Sequence, residues 1–458
     1  MIPPVRRAFI LLIAGLAACG TGGPPEIPDA GGRQVVAVSL LRWPLNGGNP
    51  ALYRLPTLQT ALWEARGATP ALKRLIGADV DLAQAYALDS KDAVVALDLE
   101  SGRARPFLSK VLAADAGPDG SIYAVAEDRT LTSVSGRLPT AYPGKLPATP
   151  VSLIGTGTDQ IYALMPGDSG LLIARQGQAT RREVFPIAGV AHTRWGDLLA
   201  AASDDEVILY EPGAANPRRT LDIGGKPVAL AFSPSGHRLY AVAEGDETVQ
   251  RFDRYTLRRL GTIDLPADAR ELRPDPLGRF LLARPTQGDS VWVLDVVKNE
   301  FLGSWNTTWR PDLPAIAAGR WLLVREGADV VSYDLFDGTF ATTGRITGGA
   351  ADLWQVLDWS PRAEGRTAAE PDSAAVEATP GTRQVVYVQL SSSQNPAWAE
   401  ELANKLKSQG LPASVIHPDK PDEPNRVVLG PYPSREAADS AGTRLGQPYF
   451  LYLPEDRR

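Results

Sequence analysis

Side chains with catalytic or ligating chemistry are scarce in this sequence. Cys19 is the only cysteine among 458 residues, and it follows an apolar run, Ala8 to Leu16, that Arg6 and Arg7 precede. A run that short does not cross a bilayer as a permanent helix and reads as an export signal. A single thiol also excludes any disulfide or thiolate metal site within one chain. Between residues 33 and 362 the only imidazoles are His192 and His237, each alone. His237 stands at a turn position that other copies of a repeat described below fill with Ser, Arg or Gln, so a solvated turn residue is the expected role, and His192 is read the same way. Asp98, Asp253, Asp295 and Asp334 recur at the ends of alternating strands, where a carboxylate satisfies turn amides. No catalytic residue, metal site or cofactor is expected from this set.

Leu16-Ala17-Ala18-Cys19 resembles the lipobox of bacterial lipoproteins. The resemblance implies that residues 1–18 are a signal peptide, that the Cys19 thiol is acylated, and that the new terminus is acylated again. Two or more acyl chains give stable attachment, so the mature chain is expected to be anchored, facing the periplasm. Gly20 and Thr21 lack the acidic signal that retains lipoproteins in the inner membrane of some bacteria, which favours the outer membrane. Residues 19–32, rich in Gly and Pro, suit a flexible tether. Removing the signal leaves 45 Lys+Arg against 53 Asp+Glu, a balance that argues against nucleic acid as a partner. With 44% hydrophobic residues, the chain can bury more than one core, and no second stretch is apolar enough to span a membrane.

A short apolar strand recurs along residues 33–360, centred on Tyr86, Tyr123, Tyr162, Leu199, Tyr240, Leu281 and Leu322, at steps of 37 to 41 residues. Around each centre the order is strand, turn, marked strand, turn, alternating strand, turn, last strand. Four short strands per period of about 40 residues is the arithmetic of a β-propeller blade. The segment Phe232-Ser233-Pro234-Ser235-Gly236-His237-Arg238-Leu239-Tyr240 resembles the YVTN and WD40-like propeller families, which implies architecture and no activity. Seven centres give seven blades. Val35 to Trp43, Ala51 to Leu55 and Thr60 to Ala65 supply three strands of an eighth if Leu353 to Trp359 completes it, so seven and eight both stay open. Gly167-Asp168-Ser169-Gly170 is similar to the nucleophile segment of trypsin-like proteases, but the rest of that pattern is missing and a polar turn is expected. Trp292, Trp305, Trp309, Trp321, Trp354 and Trp359 crowd the last blades and are assigned to packing.

Residues 361–382 turn to Ala, Glu, Pro, Ser and Thr, the composition of a disordered linker. Residues 383–458 then read β-α-β-β-α-β, a small ferredoxin-like α+β domain with two helices on one sheet face and the other face free. Asn395 caps the first helix, Pro396 opens it, Ala399, Leu402, Ala403 and Leu406 line its inner side, and Gly410 stops it. Ser434 caps the second, whose inner side carries Ala437, Ala441 and Leu445. Period two turns Val386, Val388 and Leu390 toward the helices and leaves Tyr387 and Gln389 on the open side.

Tyr387-Val388-Gln389-Leu390 with Ser392, Lys405-Leu406-Lys407-Ser408-Gln409-Gly410, and Asn425-Arg426-Val427-Val428-Leu429-Gly430-Pro431-Tyr432 resemble the SPOR family of peptidoglycan-binding modules over Gln384 to Leu453. The resemblance implies that glycan strands stripped of stem peptides bind along the helix-free face, with Gln389, Ser392 and Arg426 donating to sugar oxygens. It also implies an aromatic platform, supplied by Phe450 or Tyr452. Pro424 departs from the aromatic that many members carry there, which implies either a weaker site or one that uses Tyr387 instead. Nine basic and nine acidic residues give this domain no steering charge. The expected protein is a non-enzymatic lipoprotein of the cell envelope, associated by its family with cell division, whose propeller is a platform for envelope proteins. A propeller hydrolase or lyase acting on wall polymers, and a scaffold without glycan affinity, are the competing readings.

Overall fold

Short apolar strands broken by Gly, Asp or Pro satisfy their backbone groups by pairing with the next segment of chain, and residues 39–357 repeat that meander around a ring. The computed structural model describes residues 38–454 except 60, 66, 136–137, 157–158, 168–169, 213, 215, 337, 360, 362–384, 394, 409, 419–422 and 445–448. Cys19, the tether and the linker beyond Pro361 therefore lie outside the described residues, as do Asp168, Ser169 and Leu445. No described helix is long and apolar enough to cross a membrane.

Among the described residues the ring has eight four-stranded antiparallel sheets. Blades 2 to 8 are consecutive meanders, of which blade 6 is clearest: Pro227–Phe232, Arg238–Ala243, Thr248–Asp253 and Arg259–Asp264. Blade 1 joins Ser39–Trp43, Ala51–Arg54 and Ala61–Glu64 to Leu353–Leu357, which pairs antiparallel with Ser39–Trp43. Seven marked strands thus make eight blades, because the eighth is shared between distant parts of the chain. The closure completes blade 1, so the ring is left with only the short edges of four-stranded blades. Every repeat centre lies on the second strand of its blade and is 3% exposed or less. Cores form between blades: Tyr240, Val242 and Ile263 of blade 6 pack with Leu272, Leu281 and Trp292 of blade 7.

The recurring acids do the turn work expected of them. Asp98 accepts from the amide of Ser101, Asp253 from those of Tyr255 and Thr256, Asp295 from Val297 and Lys298, and Asp334 from Phe336. All six Trp of the last blades pack in or against apolar cores, Trp354 being almost wholly buried in the seam that closes the ring.

The C-terminal domain has the sheet order Ala413–Ile416, Asn425–Tyr432, Val386–Ser393, Phe450–Tyr452. Helix α1, Pro396–Ser408, begins where Asn395 Oδ1 accepts from the amides of Ala397 and Trp398. Helix α2, Arg435–Arg444, is capped by Ser434. Val386, Val388 and Leu390 pack with Ala399, Leu402, Ala403 and Leu406 as expected. On α2 the buried stripe is Ala438 and Ala441, one residue along from the expected Ala437, which is half-buried. Residues 36–458, ring and C-terminal domain together, form one compact unit.

In a four-stranded meander the first and third turns share one end. The turns holding Asp119, Asp159, Trp195 and His237 are first turns of blades 3 to 6, and those holding Glu211 and Tyr255 are third turns, so all six residues lie on one face of the ring. A buried ion pair organises that face. Arg254 Nη2 lies 2.7 Å from Asp197 Oδ2, with the two side chains 3% and 1% exposed. Arg254 Nη1 also donates to the carbonyl of Gly236, and Thr193 Oγ1 donates to Asp197 Oδ1. Gly236 is held at φ 72°, and a Cβ there would press on Thr193 and on the guanidinium itself. Burial works against the charge of Arg254, but Asp197, together with Tyr255 and Glu211, outweighs it and raises the guanidinium further. Asp197→Ala strands a buried cation and is expected to cost about 3–5 kcal/mol, read as a lowered midpoint in urea or thermal unfolding.

Candidate functional site

Cross-strand partners share a face of a sheet, so the register identifies the helix-free side of the C-terminal domain. Gln389 pairs with Val428 and with Phe450, and Tyr387 pairs with Tyr452. Strict alternation from Val386, Val388 and Leu390 would turn Ser392 toward the helices. The register instead slips between Gln389 and Ser391, so that Ser391 opposes Val427 of the core and Ser392 opposes Arg426. This β-bulge brings Ser392 to the same side as Gln389. One face therefore gathers Tyr387, Gln389, Ser392, Arg426, Val428, Phe450 and Tyr452.

Arg426 orders the group. Its guanidinium donates to Gln389 Oε1 at 3.1 Å and lies 5.1 Å from the Tyr452 ring centroid, while Tyr452 and Tyr387 rings are 6.4 Å apart. With Oε1 occupied, the Gln389 amide NH2 is the donor left, and it meets His237 Nε2 of the ring at 2.7 Å. His237 therefore accepts at Nε2 and donates from Nδ1 to the carbonyl of Ser235 at 2.9 Å, which is the neutral tautomer. The chain of donors runs from Arg426 through Gln389 and His237 to the backbone of blade 6.

The helix-free face is not open to solvent along its length, because the ring covers part of it. Gln389 is 2% exposed and Ser392, in hydrogen-bond contact with the Tyr255 hydroxyl, 1%. Ser393 donates to Glu211 at 2.7 Å, and Asn395 donates to the carbonyl of Pro212. Phe450 stays 41% exposed yet packs 4.2 Å from the His237 ring. Tyr387, Arg426 and Tyr452 are half-buried. Helix α1 adds Lys405 to Asp119 at 2.5 Å and Glu401 to Arg175 at 2.6 Å, and Trp195 of blade 5 enters the core of the C-terminal domain. His237 is thus a contact residue rather than a solvated turn residue. Its partner lies 152 positions away, and no local pattern announces that. His192 is exposed and bonds locally to the Thr193 carbonyl. Among the described residues no three His, Cys, Asp or Glu side chains are grouped to hold a metal.

Two titrations oppose each other at this contact. Burial, and then the Arg254 and Arg426 cations, lower His237 to about 4, with Asp197 a weaker counterweight and Tyr255 neutral. A neutral His237 is thus part of the docked state, and docking weakens as pH falls from the ordinary 6.5 toward 4. Burial, and then the Asp159 carboxylate, raise Glu401 to about 7 against the pull of Arg175. That contribution favours docking at low pH and is lost as pH rises from 4.5 through about 7. Dye pairs on engineered cysteines in ring and C-terminal domain should report docking that weakens on both sides of a mildly acidic optimum. His237→Gln should remove the acid limb alone, and Glu401→Gln the limb toward neutrality.

Residues 382–450 match the family model of the SPOR domain. The chain is similar in structure to AztD of Citrobacter koseri, at 14% identity and TM-score 0.51, over 71% of this chain and 99% of that one. It is also similar to the dihydro-heme d1 dehydrogenase NirN, at 11% identity and TM-score 0.52, over 73% of this chain and 77% of that one. At such identities the likeness is one of fold, a mainly-β propeller. No curated protein sequence matches the chain. SPOR domains are typical of cell-envelope proteins and imply peptidoglycan binding. The C-terminal module of this chain is a SPOR domain, and it is carried by an eight-bladed β-propeller.

Proposed function

We propose that this is a non-enzymatic lipoprotein of the cell envelope that binds denuded glycan strands, at the division site, through the helix-free face of its SPOR domain. The observation that carries the reading is the match over residues 382–450 together with the grouping of Gln389, Ser392 and Arg426 on one face beside Tyr387 and Tyr452. An amide, a hydroxyl and a guanidinium donate to hydroxyl, acetamido and lactyl oxygens, and the tyrosine rings offer flat surface to a sugar. Arg426 already lies against Tyr452 and Gln389, so little side-chain freedom is lost on binding. The propeller is the platform for other envelope proteins, and acylated Cys19 holds the chain to the outer membrane, facing the periplasm.

Two carboxylates of the ring have structural partners. On the innermost strands Asp115 is occupied by Arg74 and by the Leu153 amide, and Glu271 by Arg273 and Arg284. Their environments support a structural role.

The mature protein should be retained on purified sacculi, more strongly after an amidase has stripped the stem peptides, and should release no soluble sugar. Arg426→Ala and Tyr452→Ala should each reduce retention by about tenfold, the worth of one good contact. Equal retention on intact and stripped sacculi, or no effect of either variant, argues against this face as the glycan site. In cells, metabolic labelling with a fatty-acid probe should mark the wild type and not Cys19→Ala.

A further inference from the structure

The glycan-reading face and the ring-contact face of the SPOR domain share residues. Gln389 is held by His237, Ser392 meets the Tyr255 hydroxyl, and Phe450 packs on the His237 ring. Val428, between Gln389 and Ser414 on the same face, is fully buried. A sugar that takes the Gln389 amide and the Ser392 hydroxyl cannot do so while His237 and Tyr255 occupy them. We propose that the face of blades 3 to 6 is a receptor for the chain's own SPOR domain, and that docking there and glycan binding are mutually exclusive, so the ring controls access to the glycan site. This rests on the glycan reading of that face given above.

The composition of the contact suits a reversible latch. Its anchors are mostly polar: Lys405 with Asp119, Glu401 with Arg175 and the Asp159 amide, Ser393 with Glu211, and Asn395 with the Pro212 carbonyl. Interfaces of that kind open more readily than apolar ones. Trp195 is the one large apolar side chain the ring inserts into the core of the SPOR domain among the described residues. The ring side is built for the contact rather than merely near it: Trp195, His237 and Tyr255 flank Asp197, Gly236 and Arg254, the three residues tied together by the buried pair. Tethered to its receptor through one chain, the domain docks without the entropy loss of a bimolecular encounter. Glycan must then compete with a partner at high local concentration. A protein that is docked about 90% of the time binds glycan about tenfold more weakly than one that is always open.

The test uses the full mature chain with Cys19→Ser, on amidase-treated sacculi. Asp119→Lys with Glu211→Lys puts a like charge against Lys405 and removes the acceptor of Ser393, and neither position lies on the glycan face. This opened protein should bind about tenfold more tightly than wild type. Arg175→Cys with Glu401→Cys, joined by a short bis-maleimide, locks the latch from the helix side, away from the sugar-reading face. The locked protein should bind about tenfold more weakly than its own unlinked form. Equal binding by the linked and unlinked forms overturns the latch while leaving the glycan reading intact. Retention of none of these proteins, the opened one included, overturns the glycan reading and the latch together.

Discussion

The buried pair of Asp197 and Arg254 fixes the part of the ring on which the SPOR domain rests. Neither charge is stable alone at that depth, so each enforces the position of the other, and with them the turns of blades 5 and 6. Trp195 precedes Asp197 by two residues, His237 follows the Gly236 carbonyl that Arg254 engages, and Tyr255 follows Arg254 itself, 5.0 Å from its guanidinium. Three contact residues from three turns are thus set by one electrostatic node. A turn residue such as His237 would otherwise sample several rotamers, and its docking to Gln389 would carry that entropy cost.

Ring closure sets the second constraint. Ser39 pairs with Leu357, and the Ser39 hydroxyl donates to the Trp359 carbonyl, so the chain enters and leaves the ring at one end of blade 1. That end is where the innermost strand meets the second, the same side as the first turns of blades 3 to 6. The chain therefore leaves the ring on the side on which the SPOR domain rests. The topology that completes blade 1 also brings the chain out on the face where the domain rests.

Much of this architecture is legible in the sequence because it follows from period. A strand centre every 37 to 41 residues has one economical solution, and the three orphan strands after residue 35 match the one left over before Trp359. The α1 face, its Asn395 cap and the inward set of Val386, Val388 and Leu390 follow from local rules in the same way. Two features do not. The position of Ser392 depends on a bulge at Gln389–Ser391, and strict alternation sends it to the wrong side. Likeness to a family grouped Ser392 with Gln389 and Arg426, and the register puts the three on one face. The role of His237 depends on a partner in another domain, and a lone imidazole in a repeat turn carries no sign of it. Local patterns specify elements, whereas contacts between domains are specified by surface complementarity that no short window contains.

Under the proposed glycan reading, the hydrogen-bond direction across the contact lets one face serve two partners. Gln389 has an acceptor end and a donor end, and Arg426 claims the acceptor in the docked form, so the amide presents a donor outward. His237 meets it with a neutral nitrogen lone pair, as a sugar hydroxyl, an acetamido carbonyl or a lactyl oxygen also does. Phe450 lies against the imidazole much as an aromatic lies against a pyranose, and the Tyr255 hydroxyl faces Ser392 as a sugar hydroxyl does. On these contacts the ring presents the groups that the proposed glycan ligand would present. A surface that satisfies the same donors with the same geometry needs no separate switch residue to exclude the ligand, since occupation of Gln389 by either partner denies it to the other. The strength of docking is then set by the parts that do not resemble sugar, the ion pair of Lys405 with Asp119 and the hydrogen bonds of Glu401 with Arg175 and the Asp159 amide, which lie off the proposed glycan face.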